Sequence, residues 1–157
     1  MQDIKKILVV TRLTQYCRDA LRGGIALAKK NDAELIVLHV VSNPVDMEAV
    51  NAPGLFIKGE EYKTYMNSRD DTREELEKII SREVRGGFPI KEIVTDREPV
   101  KEIVRVVKEE KIDLIVLLAH EEGLVEHALF GGENDRLVRK LPCSILLMKR
   151  EPDKVNW

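Results

Sequence analysis

Short, dense runs of Val, Ile and Leu constrain this chain more than any other feature. They are KKILVVT (5–11), ELIVLHVV (34–41), DLIVLL (113–118) and SILLM (144–148). The first is β-branched and too short for a helix with such flanks, and each reads as a strand. The first two show no alternation of apolar and polar residues, so they belong to a sheet covered on both faces. A further run, IKEIVT (90–95), does alternate and belongs nearer a sheet edge.

The segments between these runs have the other periodicity. After a capping Thr14, the apolar residues Cys17, Ala20, Leu21, Gly24, Ile25 and Ala28 step by three and four along one helical face. Lys29 and Lys30 fall in the last turn and Asn31 after it. The connection SNPVDMEAVNAPGLFIKG (42–59) offers one short turn at Asn43-Pro44, broken by Pro53-Gly54. From Glu60, Tyr62, Tyr65, Met66, Leu76, Ile79, Ile80 and Val84 mark a second helix, stopped by Gly86-Gly87. Pro99 suits a first helical position, with Val100, Ile103, Val104 and Val107 on the face behind it. Leu137, Val138 and Leu141 give a last helix that halts at Pro142. Strand–helix alternation with right-handed crossovers specifies an open parallel α/β sheet of Rossmann-like type, with helices on both faces.

Composition removes several classes of function. A chain of 157 residues, 43% hydrophobic and 34% charged, is one soluble globular domain rather than a disordered segment. A net charge of −2 advertises neither nucleic acid nor an anionic membrane as partner. The opening MQDIKKILVVTRLTQ lacks the layout of a signal peptide, and no apolar run approaches a membrane span. Cys17 and Cys143 fall in different elements without metal spacing, which fits free thiols in a reducing cytoplasm.

In open α/β sheets ligands sit beyond the carboxyl ends of the strands, where the strand order reverses. Thr11, Arg12 and Leu13 after the first strand therefore face Ala119, His120, Glu121 and Glu122 after the fourth, with Gly131-Gly132 at the start of the last helix. The stretch LLAHEEGLVEHALFGGENDRL (117–137) has the outline of a phosphate loop. It is also rich in acid, carrying Glu121, Glu122, Glu126, Glu133 and Asp135.

KKILVVT, ELIVLHVV and the closing sweep DLIVLLAHEEGLVEHALFGGENDRLVRKLPCSILLMKR resemble the universal stress protein (UspA-like) family. FGG, the helix ending in VRKLPCS and the apolar strand after it are the specific part. The resemblance makes residues 1–150 one universal stress protein domain and leaves 151–157, EPDKVNW, as a short polar tail ending in Trp157. It implies strand order 3-2-1-4-5, a cytoplasmic location and homodimers paired through the last strand. It also implies a nucleotide pocket at Thr11, Arg12 and Val41 on one side and Leu118, His120, Glu121, Gly131 and Gly132 on the other. The family has two branches, one that binds ATP and one that does not.

The ATP-binding branch resembles the pattern G-x2-G-x9-G-[S/T], whose glycines let backbone N–H groups approach the phosphates at a helix N-terminus. Laid on this chain, its glycines fall on Leu118, Glu121 and Gly131, and its hydroxyl residue on Gly132. Gly123 lies off the spacing. The family's usual aspartate after the first strand is Arg12, and its glycine before the third helix is Arg97. A glutamate for glycine blocks the backbone's approach and opposes a triphosphate. At an effective dielectric near 20, two unit charges about 4 Å apart repel by roughly 4 kcal/mol, some three decades in affinity. Arg12 is expected to pair with Glu121, or failing that Glu122 or Glu133, so that the chain's own side chains fill the pocket.

The sequence thus points to a non-enzymatic, dimeric stress-response protein with no cofactor. The alternative is an ATP-binding signalling module, even a slow ATPase, built on Gly123 and Gly131-Gly132. No G-x-S-x-G, Walker A sequence or catalytic carboxylate pair is present, and His120, Glu126 and His127 do not match H-E-x-x-H, so no metal is expected. His39, inside an apolar strand, reads as a hydrogen-bonded core residue, and Cys17 lacks an evident base or resolving cysteine. SILLM, apolar on both faces, would pair with a second copy if it lay at an uncovered edge.

Overall fold

The computed structural model describes residues 3–11, 17–41, 60–118 and 133–148. Strands β1 (Lys6–Thr11), β2 (Glu34–Val40), β3 (Ile90–Thr95), β4 (Leu114–Leu118) and β5 (Ser144–Met148) form one sheet, ordered β3-β2-β1-β4-β5. All four neighbouring pairs are parallel. Helices α1 (Cys17–Asn31), α2 (Glu60–Arg85), α3 (Pro99–Glu110) and α4 (Glu133–Lys140) supply the crossovers. The expected alternation, topology and edge position of β3 are all present. The Thr14 cap, the connection 42–59, the side chains of Tyr62, Tyr65 and Met66, and the tail lie outside the described residues.

Each central strand divides its side chains between two cores. Ile7 and Val9, Leu35 and Val37, and Leu114 and Val116 point to the face covered by α1 and α2, meeting Leu21, Ile25, Leu76 and Ile80. Leu8 and Val10, Ile36 and Leu38, and Ile115 and Leu117 point the other way, to Val100, Ile103, Val107 and Leu137 of α3 and α4. This is why the strands read as unbroken apolar runs. Each buried aliphatic side chain contributes roughly 1.5–3 kcal/mol over its exposed state. At the lower end of the sheet, Asp113 lies just before β4 and accepts the backbone N–H groups of Lys5 and Lys6 at 2.9 and 2.8 Å. That carboxylate satisfies two donors at the entry to β1.

The helix ends follow local chemistry. Pro99 begins α3, and the Glu98 side chain caps it by accepting from the Lys101 N–H at 2.8 Å. Gly87, at φ 95°, ends α2, with Phe88 N–H reaching Glu83 O and Gly87 N–H reaching Val84 O. These are the paired bonds of a Schellman turn. Three expectations need correction. Asn31 is the last residue of α1, and Asp32, at φ 50°, is the residue that leaves it. Val138 and Val84 are 53% and 48% exposed rather than core-facing. Val138 follows the fully buried Leu137 by one position, a rotation of about 100° off the buried face. Val84 lies in the last turn of α2, a helix that makes few contacts with the edge strand β3.

α1 sits close on the sheet because it carries a glycine pair. A Cβ on Gly24 would run into Val9 Cγ2, a stiff β-branched side chain in the central strand. A Cβ on Gly23 would meet only the end of Met148, with Cε 2.6 Å away, which can turn aside. Glycine in an open helical site is worth about 0.5–1 kcal/mol less than alanine. Gly23→Ala should therefore be neutral or mildly stabilising. Gly24→Ala should lose about 1–3 kcal/mol through overpacking. Urea unfolding of the two variants checks this, and equal effects would contradict the packing.

Candidate functional site

The carboxyl ends of the strands are where such a sheet offers a site, and three expected residues are described there. Thr11 ends β1, Leu118 ends β4, and Val41 is the first residue beyond β2. The β1–β2 register sets Thr11 beside His39, and the β1–β4 register, continued by two residues, brings Leu118 to the same level. Thr11, Val41 and Leu118 are thus gathered on one face at one end. Arg12, His120, Glu121, Gly131 and Gly132 lie outside the described residues. So do Leu13, Ala119 and Glu122, the side chain of Glu133, and with them the expected Arg12–glutamate pair.

The described rim is polar, and its groups are engaged with one another. Thr11 is fully buried, and its Oγ1 lies 2.8 Å from His39 Nδ1. His39 Nε2 lies 3.1 Å from Glu92 Oε1. His39 is therefore the hydrogen-bonded core histidine its surroundings suggest. Val41 N–H donates to Thr95 O at 2.8 Å, holding the exit of β2 against the end of β3.

A second network covers the opposite face. Thr95 Oγ1 accepts the Arg97 N–H at 3.2 Å and donates to Glu102 Oε2 at 3.3 Å. Glu102 is 5% exposed, yet it also receives the Arg105 guanidinium through Nε at 3.2 Å and through a terminal nitrogen at 2.9 Å. Arg97 reaches the same carboxylate at 3.7 Å. Arg105 also binds Glu109. A buried carboxylate is tolerable only with partners of this quality. Nothing in the sequence flagged Glu102, which sits among Val100, Ile103 and Val106 as one charge of many. The pairing of Glu92 with His39 was equally hidden, because it depends on the β2–β3 register.

The remaining candidates are chemically quiet. Cys17 is buried, and burial pushes the half-buried Cys143 thiol up, away from thiolate. Among the described residues no group of three or more His, Cys, Asp or Glu could hold a metal, and no helix is long and apolar enough to cross a membrane.

The Arg105 hydrogen bond is the chief cause that holds the Glu102 carboxyl below its ordinary value of 4.5, against the opposing effect of burial. A group depressed on folding contributes stability that is complete above its unfolded value and lost as pH falls through the folded one. In Glu102→Gln, the loss of stability on acidification below 4.5 should become shallower than in the parent. Urea unfolding at successive pH values measures it. An unchanged acid slope would show that the pair contributes nothing.

Comparison with known proteins fits this frame. The universal stress protein family profile matches residues 3–149. Universal stress protein MJ0577 of Methanocaldococcus jannaschii is 24% identical over 155 residues, spanning 94% of this chain and 96% of that protein. The solved structure of MJ0577 superposes with a TM-score of 0.66 at 23% identity, over 96% of this chain and 99% of that one. A universal stress protein in complex with cAMP superposes at 0.59 with 15% identity, covering 96% and 100% of the two chains. A family member from Arabidopsis thaliana with AMP bound gives 0.58 at 17% identity, covering 95% and 94%. With its sheet order and a family match over nearly its whole length in agreement, the chain belongs to the universal stress protein family.

Proposed function

We propose that this protein is a non-enzymatic universal stress protein of the cytoplasm that acts as a dimer through protein contacts, and that it holds no nucleotide tightly. The observation that carries this reading is the self-satisfied rim. The Thr11 hydroxyl is committed to His39, and the Thr95 hydroxyl to Glu102 and Arg97. The N-terminus of α3 already donates a backbone N–H, that of Lys101, to the Glu98 carboxylate. A phosphate would compete with three internal carboxylate or imidazole partners, and in the sequence Glu121 stands where the nucleotide-binding pattern has glycine. Leu118 at the first glycine position adds bulk at the end of β4. No nucleophile with a base is gathered at an accessible site among the described residues, which supports a role other than catalysis.

The dimer reading rests on β5. It is an edge strand, with Leu146 and Leu147 37% and 46% exposed. An apolar, uncovered edge invites pairing with a second copy about a two-fold axis.

The alternative is an ATP-binding signalling module, favoured by the cAMP and AMP complexes of its structural neighbours and by FGG before α4. Calorimetric titration with ATP and Mg²⁺ separates the two. The proposal predicts no saturable heat up to about millimolar nucleotide, where binding would be worth only about 4 kcal/mol. Saturable micromolar binding would overturn it. Glu121→Gly should increase whatever weak binding exists. For the dimer, Leu147→Lys should weaken self-association at least about tenfold in sedimentation equilibrium; a parent that sediments as a monomer would sink that part.

A further inference from the structure

The sheet is open along β3. This strand pairs with β2 from end to end, and no strand among the described residues pairs with its other side. Successive residues of a strand aim their backbone N–H and C=O groups to opposite sides. Thr95 O accepts the Val41 N–H, so Lys91, Ile93 and Thr95 direct theirs to β2. The backbone groups of Ile90, Glu92 and Val94 therefore face outward, where they can template a further strand. The side chains of these three residues share the α2 face, because Ile90 packs there and Ile93 packs on the other.

Helix α2 stands off from that edge and leaves a groove of about 830 Å³, bounded by Glu74, Glu77, Ile80 and Val84 of α2 and by Glu92. A smaller cavity shares Glu77 and Glu92 with it and continues to Val94. Since α2 runs down to the turn that starts β3, Val84 lies toward Ile90 and Val94 at the other end. Both valines are about half exposed, at 48% and 59%. The charge between them is acidic where it is not already matched. Arg73 is bonded to Glu77, Lys78 lies 3.9 Å from Glu74, and Arg85 bonds the Ser81 carbonyl. Glu92 meets the His39 ring through Oε1, and its Oε2 has no donor among the described residues. The edge thus presents apolar, acidic and apolar side chains in turn.

A second copy of this chain fits the edge poorly. Laid antiparallel with all three outward residues matched, it would set Glu92 directly against Glu92, and like charges in that position repel. A shifted register leaves Ile90 or Val94 beyond the end of the partner's strand. We propose that the β3 edge takes an extended segment of a different protein, with Lys or Arg opposite Glu92 and apolar residues two positions to either side. The basic side chain meets the Glu92 carboxylate, the apolar ones cover Val94 and the Ile90–Val84 end, and the main chains join as in strand addition. This surface supplies the protein-contact role proposed above with a partner of defined chemistry, and rests on that reading.

The blocked peptide Thr-Val-Thr-Lys-Thr-Val-Thr, titrated into the nitrogen-15-labelled full chain, tests it. Saturable binding below about 1 mM is expected, with the outward amides of Glu92 and Val94 moving most. The same peptide with Glu for Lys should bind about three- to tenfold more weakly, and Glu92→Lys should reverse that preference. Val94→Pro removes one outward N–H while sparing the ladder to β2, a place where an edge strand tolerates proline, and should abolish binding. Urea unfolding establishes that each variant is folded, and the two peptides on the parent chain decide the charge rule without any variant. Absent saturation, equal affinity for the two peptides, or binding retained in folded Val94→Pro would overturn the proposal. So would Glu92 and Val94 amides that move on concentrating the chain alone, since a second copy would then be the occupant. Peptide binding together with micromolar ATP binding would keep this surface and refute the nucleotide-free reading; binding of neither would do the reverse.

Discussion

Burial of the sheet on both faces is the constraint on which the rest of this molecule depends. It removes water from the three central strands, so an apolar side chain is stabilised wherever it lies on them and a polar one is tolerated only with a partner. The three central strands comply almost throughout. The exceptions there, Thr11 and His39 on one face, and Thr95 of the edge strand β3 on the other, fall at or next to the carboxyl ends of their strands. Each has found its partner inside the chain. Close helix packing belongs to the same constraint, because α1 can cover β1 only where Gly24 leaves space for Val9.

That polarity concentrates where the fold places its ligands is no accident of drawing. Strand ends are where the backbone leaves the sheet and donors become free. In this chain those donors are turned inward. The hydroxyls of Thr11 and Thr95, the first turn of α3 and the carboxylate of Glu102 make two closed networks, one on each face. In the function proposed above, the family fold is kept while the chemistry at its open end is changed. Fold and function separate in this way because activity resides in the site rather than in the scaffold.

Much of the fold was legible in the sequence. Strands β1, β2 and β4 announce themselves as unbroken aliphatic runs because both faces are covered, and β3 betrays its edge position by alternating. Pro99 and Gly86-Gly87 mark helix ends through their own backbone preferences. The misreadings share a cause. Val138 and Val84 satisfy the apolar pattern but sit a rotation away from the core or at a thinly covered helix end, and pattern alone carries no information on what lies opposite. The site was less legible still. Glu92 and Glu102 look like ordinary surface acids until register and helix placement set one beside His39 and the other under Arg105. Thr11, Val41 and Leu118 were expected at one end of the sheet, and they are there.

The central claim is that this open end is closed to polyphosphate by the protein's own acids and bulk. Crystals grown with millimolar ATP and Mg²⁺ address it directly. The account predicts a pocket without ordered nucleotide and Thr11 still bonded to His39. Electron density for phosphates seated against residues 118–132 would contradict it.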